Sequence, residues 1–310
     1  MEENKLEYEA FCEELLRRLS DTVEESDSID IQYQQMVKNN GWKRDAIVIR
    51  TKEERMTPVI YPESLYQQHL QGACWEEMVK NIWEYYEHQL TFAESYFHVD
   101  DICNWEKIKE RLFVKVVATD MNRGILETVI HKEKLDLSVI VYAKLGDMDD
   151  ELLTSFLVKK EHLQIWNRSE DEVYEIALQN TRQQQILFMS MNEVISSMMS
   201  EEERRLIFDG DPDRMESILY VLSNTYKNFG AVYMLFPDIM DRIVDELGGD
   251  LYILPSSIHE VLIMKVTDMY EIPQLRQIIH EVNVTQLSLE ERLSDHVYKY
   301  SKNEGLSIAG

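Results

Sequence analysis

Glycine and proline are scarce in this chain, at 10 and 6 of 310 residues. That scarcity excludes a collagen-like or loop-rich scaffold and argues against disorder. The glycines are also scattered. No GxxxxGK segment occurs and no GxGxxG follows a strand pattern, so neither phosphate-cradling loop is present. Cysteine is limited to Cys12, Cys74 and Cys103, far apart and odd in number, with no CxxC pair. This excludes a zinc knuckle and a thioredoxin-like motif and leads us to expect a reducing compartment, the cytoplasm. No apolar run approaches the ~18 residues that a membrane-spanning helix needs. The stretch MEENKLEYEAFCEELLRRL lacks a basic region followed by an apolar one, so it does not read as a secretory signal. Basic clusters are missing as well.

What the chain has instead is acid. Its formal net charge is −26, and acidic residues outnumber basic ones in every 50-residue block. A field of that sign repels phosphate backbones and anionic lipid, so we expect no direct nucleic-acid binding and no membrane partner. The acidity serves solubility; a sharper reading is a nucleic-acid mimic that occupies another protein's basic groove. Apolar residues make up 44% of the chain, enough to bury a large core.

Periodicity predicts an amphipathic helix over residues 5–22, from Leu6, Phe11, Leu15, Leu16 and Leu19. Alternation at Ile29, Ile31 and Tyr33, then NNGW, then AIVIR predicts a hairpin. Asn40 and Gly41 supply the positive φ its turn demands. TPVIYP reads as a short edge strand between two prolines. Helices follow over 63–70 and 74–93, the second with an aromatic stripe from Trp75 to Leu90. Beyond a soft boundary near residue 100, LFVKVVA, ETVIHK and LDLSVIVYAK read as strands. Serines three residues before glutamates, at Ser169, Ser200 and Ser288, mark helix starts. SILYVLSN and FGAVYML read as two strands, then a helix from Pro237 to the glycines at 248 and 249, then strands in DLYILPS and HEVLIMKV. A helix near 271–282 and a strand near 296–300 close the chain. The expected fold is α+β, with mixed, mainly antiparallel sheets packed with amphipathic helices. It divides into an N-terminal lobe, 1–100, and a C-terminal lobe, 101–310.

Candidate sites are few. Asp209, Asp211 and Asp213 in DGDPD place carboxylates at alternate positions, as a hard cation would need. Arg214 and Tyr220 stand where an EF-hand has Gly and Glu, so turn chemistry is the plainer reading, and we expect no metal and no cofactor. PSSIHE offers a hydroxyl, an imidazole and a carboxylate in Ser257, His259 and Glu260, with Ser256 beside them. Consecutive residues of a strand face opposite ways and no GxSxG elbow surrounds the serines, so a polar turn is the competing reading. The methionines of FMSMNEVISSMM suit either core packing or an adaptable partner groove. No histidine has a partner at i+3 or i+4 on a convincing helix, so each reads as a surface or satisfied core residue.

The segments KNNGWKRDAIVIR, TPVIYPESLYQQHLQG, ALQNT, LSNTYKNFGAVYMLFPDIM, DLYILPSSIHEV and LSDHVYKY together resemble a bacterial family of unknown function typical of gut anaerobes. The resemblance runs over roughly residues 5–302 and carries no catalytic residues. It implies a bacterial, intracellular protein forming one family unit. It draws attention to Asn40, Ser256, Asp295 and His296 as ligand or partner contacts. The leading expectation is a non-catalytic interaction or regulatory protein that binds another protein through its C-terminal region. The alternatives are a hydrolase or transferase around Ser257 and His259, and the acidic mimic.

Overall fold

The computed structural model describes residues 2–23, 29–51, 58–96, 99–145, 154–208, 217–255 and 257–310. It is an α+β protein with three antiparallel sheets among those residues. The chain separates into two compact units, one of residues 1–105 with 145–153 and one of 106–144 with 154–310.

The smaller unit begins with α1 (Glu2–Asp21), followed by β1 (Ile29–Val37) and β2 (Lys43–Thr51). The two strands form an antiparallel hairpin in which Val37 faces Lys43. Its turn depends on left-handed backbone at Asn40 (φ +59°) and Gly41 (φ +67°). Asparagine and glycine enter that region most readily. The edge strand β3 (Val59–Ile60) pairs with β2. Next come α2 (Pro62–Leu70) and α3 (Trp75–Tyr96). Pro62 suits the first helical position because no intrahelical bond is asked of its nitrogen. The apolar faces of α1 and α3 meet β2 in one core: Phe11, Leu15 and Leu19 pack with Ile47, Ile49, Met78 and Ile82. Two short helices, α4 (Val99–Cys103) and α5 (Trp105–Ile108), follow.

The larger unit holds two sheets. The first is built from β4 (Leu112–Ala118), then after α6 (Arg123–Leu126) from β5 (His131–Lys134), β6 (Leu137–Leu145) and β7 (Thr154–Leu157). Its order is β4-β6-β5, with β7 also on β6. The open edge of β4 is closed by side chains. After α7 (Lys160–Trp166) comes α8 (Glu170–Gln183), capped by Ser169 as its sequence predicts. From α8, Asn180 Nδ2 donates to the carbonyls of Lys109 (2.8 Å) and Leu112 (2.9 Å), and Thr181 Oγ1 accepts from Val114 N–H (2.9 Å). A helix thus satisfies strand-edge groups that would otherwise be buried without partners.

The second sheet comprises β8 (Ile186–Ser190), β9 (Tyr220–Asn224), β10 (Leu251–Leu254), β11 (Val261–Lys265), β12 (Tyr298–Ser301) and β13 (Gly305–Ile308). Its order is β13-β12-β10-β11-β9-β8. Between β8 and β9 lie α9 (Met191–Ser197) and α10 (Glu201–Phe208). The helix α11 (Pro237–Leu247) covers one face, where Tyr300 OH donates to Asp241 Oδ1 (2.8 Å). The other face is covered by α12 (Ile272–Gln286), whose Leu275 and Ile279 pack on Leu254 and Met264.

The strands β8 and β13 have no counterpart in the sequence expectation, and two expected elements take another form. FGAVYML forms a 3₁₀ helix over Gly230–Leu235 and not a strand. A short, fully apolar run buries equally well in either form, and the left-handed Phe229 (φ +56°) turns the chain inward just before it. Ser288 and Glu291 make only half of a capping box: Ser288 N–H and Oγ both donate to Glu291 Oε2 (3.1 and 2.7 Å), while Glu291 N–H goes to the Ser288 carbonyl (3.1 Å), and only a turn results. The Glu291 carbonyl is drawn off to Ile258 N–H (2.9 Å), and the chain then runs out extended.

Candidate functional site

The PSSIHE turn is built as a clamp. Ser257 is buried, and its Oγ accepts from the backbone N–H groups of His259 (3.0 Å) and Glu260 (3.3 Å). A hydroxyl bent back on its own backbone is the usual signature of a turn. The His259 carbonyl accepts from Ser223 Oγ (2.8 Å) and from Gly230 N–H (2.8 Å). His259 Nδ1 accepts from Phe229 N–H (3.3 Å), and its ring stacks on Phe229 with centroids 5.4 Å apart. Burial pushes His259 below the usual imidazole range; Glu291 opposes this and Lys115 adds to it. Ser257 and His259 are therefore joined through backbone, and the imidazole is turned toward the loop 225–229. Glu260 is half-buried beside them. Ser256, Asp209, Asp211 and Asp213 lie outside the described residues. Asn40 sits buried in the β1–β2 turn of the other unit. No group of three His, Cys, Asp or Glu side chains suited to a metal occurs among the described residues.

LSDHVY carries the densest polar chemistry. The segment entering β12 alternates. Asp295 and Val297 go toward α12, while Ser294, His296 and Tyr298 go toward the β5–β6 turn of the first sheet. There all three meet one carboxylate. Tyr298 OH donates to Asp136 Oδ1 at 2.7 Å, and Ser294 Oγ donates to Asp136 Oδ2 at 2.9 Å. His296 Nδ1 lies 2.9 Å from the same Oδ2. Leu135, left-handed at φ +59°, shapes the turn that presents Asp136. Burial alone would raise the Asp136 carboxyl; the bonds from Tyr298, His296 and Ser294 outweigh it and hold it below the usual carboxylate range. On the opposite side, His280 Nδ1 lies 2.8 Å from Asp295 Oδ2, and Asn283 Nδ2 donates to Asp295 Oδ1 at 2.7 Å. Asp295 is likewise held low: its hydrogen bonds to His280 and Asn283 overcome the upward push of burial.

Two histidine–carboxylate pairs thus flank one segment but face apart. The Asp136–His296 pair fixes an imidazole by its Nδ1 side, the arrangement from which a ring nitrogen can exchange protons. It is not a nucleophilic triad. Ser294 donates to the carboxylate, and its Oγ is 3.4 Å from His296 Nδ1, the side already engaged by Asp136. Sequence reasoning singled out Asp295 and His296 but missed Asp136 and His280, which lie 160 and 15 residues from them. The period-two spacing of Ser294, His296 and Tyr298 was the available signal that they share a target.

Lys144 was also missed. It stands next to the last residue of β6, is 4% exposed, and sets its ammonium 4.4 Å from the Phe113 ring and 5.0 Å from the Tyr226 ring. Burial lowers its pKa to about 8. A lone charge in a strand otherwise uncharged from Leu137 to Leu145 was the visible sign.

This α+β chain belongs to a family of unknown function, DUF5688, whose model matches residues 8–302. No curated protein and no solved structure matches it.

Proposed function

We propose that the protein is a non-catalytic interaction protein of the bacterial cytoplasm and that it binds another protein through the surface of its larger unit that carries residues 195–208 and Ile218. One observation carries this reading. In that stretch Ile195, Met198, Leu206, Ile207 and Ile218 are all exposed, Met198 to 78% and Leu206 to 85%. Large apolar side chains left in water so close together in sequence are the mark of a surface that another molecule covers. The adjoining β8 is an edge strand, half-exposed along its whole length. Glu201, Glu202 and Glu203 open α10 and Arg204 and Arg205 follow them just before Leu206, so the complementary partner is a protein segment with an apolar face and charges of both signs at its margin. Three free cysteines, two of them exposed, support a reducing compartment. Among the described residues no helix is long and apolar enough to cross a membrane.

The test is gentle purification of the tagged protein from its native cells, in parallel with a Leu206→Asp/Ile207→Asp variant. A protein recovered in stoichiometric amount with the wild type and lost from the variant is expected. Equal recovery with both, or no recovery with either, refutes this surface.

A hydrolase or transferase is the second reading. The observation that favours it is the Asp136–His296 pair, and Ser257 with His259 adds nothing to it. Turnover of chromogenic esters or phosphoesters that disappears in His296→Ala would support an enzyme. A wild type without turnover would count against it.

A further inference from the structure

The smaller unit contains a half-open cleft of about 330 Å³ between β2, β3, α2 and α3, with a floor that includes Ile60, Leu65 and Ile82. At its rim Arg44 lies flat on Tyr61, its guanidinium carbon 3.6 Å from the ring centroid. Among the described residues the carboxylate that pairs with it is that of Glu63, with Nε to Oε2 at 3.5 Å. That contact is a charge pairing without a hydrogen bond, and both of these buried atoms lack any hydrogen-bond partner. Nor does any other N–H of Arg44 find an acceptor among the described residues. A guanidinium offers five donors in a fixed plane. Of its nitrogens only Nε is buried without a partner, so the Nη groups stay open to the cleft and to what enters it.

The surroundings say what that occupant is. Lys38 also lies over the Tyr61 ring, 5.2 Å from its centroid, so two cations gather there in a protein of net charge −26. The first turn of α2 contributes Ser64 and Leu65 to the lining, and no side chain caps that helix start. A helix N-terminus favours negative charge. The remaining wall is mostly apolar, with Asn81 and Gln68 as polar ends. Glu63 takes the Nε edge of the guanidinium and leaves the two Nη nitrogens, which match a carboxylate in a two-pronged contact.

We propose that this cleft is a binding site for a small organic carboxylate with an apolar body. Arg44 holds the acid group and Ile60, Leu65 and Ile82 hold the body. The site stands independently of the surface at residues 195–208.

Calorimetric titration of the full chain tests it, with butanoate, 4-methylpentanoate and benzoate, the amide of each, and inorganic phosphate. At least one carboxylate should bind about tenfold or more tightly than its own amide and than phosphate, as a charge-assisted bidentate contact would give. Arg44→Lys should reduce that binding by about tenfold, because the ammonium keeps charge but loses the fork. Equal binding of acid and amide overturns the proposal by showing a neutral pocket. Phosphate binding as well as any acid overturns it by showing a bare anion site. No saturation by any acid up to about 10 mM, the range of the weakest specific complexes, overturns it outright. The acid–amide comparison is made on the wild type, so the test survives if the variant does not fold.

Discussion

Asp136 shows how much of this protein is decided by one side chain meeting three others. It ties the turn of one sheet to the strand entering the other, and its carboxylate accepts from Tyr298 and Ser294 and engages His296. Asp136→Ala would leave these groups without their partner, and we expect a loss of about 3–5 kcal/mol in denaturant unfolding. Its pKa is lower folded than unfolded. The stabilisation is therefore complete above the unfolded value near about 3.9 and is lost as pH falls through the folded value. Asp136→Asn should flatten that acid limb of the stability profile. Lys144 works in the opposite sense. Its folded pKa is about 8, against roughly 10.4 for a free lysine. The fold disfavours its charge, so its penalty is full below the folded value and fades as pH rises to the unfolded one. Lys144→Met should stabilise the protein by roughly 1–3 kcal/mol at pH 7 and remove the gain in stability between about pH 8 and 10.4. An unchanged melting temperature would show that the ammonium reaches water.

Among the elements, the loop from Ser223 to Gly230 is the tightest fit. A Cβ added at Gly230 would stand 2.4 Å from Ser223 Oγ and 2.6 Å from Ser223 Cα. Backbone cannot retreat from such an approach, so Gly230→Ala should cost about 2–4 kcal/mol and free the His259 clamp. The edge of β4 offers a gentler case. Thr181→Val keeps the shape of the side chain but strips the acceptor from Val114 N–H. A buried donor left unmet costs about 1–3 kcal/mol, and hydrogen exchange at Val114 should quicken first. Elements with strong local signals were readable in the chain. α8 had its serine cap, α11 its proline and glycine ends, and the β1–β2 hairpin its Asn40 and Gly41 turn. The 3₁₀ helix at Gly230–Leu235 was not, because a run of buried apolar residues has no period to read.

For the whole molecule, the charge of −26 opposes compaction. Raising salt from about 0.02 to about 0.5 M should screen that repulsion and raise the melting temperature. A melting point that is flat or falls with salt would mean that local ion pairs dominate. A lobe boundary near residue 100 is a proposal that expression can decide. Residues 106–310 hold both sheets of the larger unit with their covering helices, and we expect that fragment to melt cooperatively on its own. Aggregation or a broad, non-cooperative transition would mean that the chain folds only as one piece.

The sequence by itself determined the fold class, the amphipathic helices and the character of the surface, because these rest on local spacing and on summed charge. It also marked the polar segments PSSIHE and LSDHVY. What those segments do was decided by tertiary structure alone. Ser257 bends back to its own turn, while His296 finds Asp136 160 residues away. Arg44 comes to the mouth of a cleft with its donors unmet, which no pattern along the chain records. Hydrogen bonds and burial act over a few ångströms in space, and the chain brings together residues that its sequence keeps far apart.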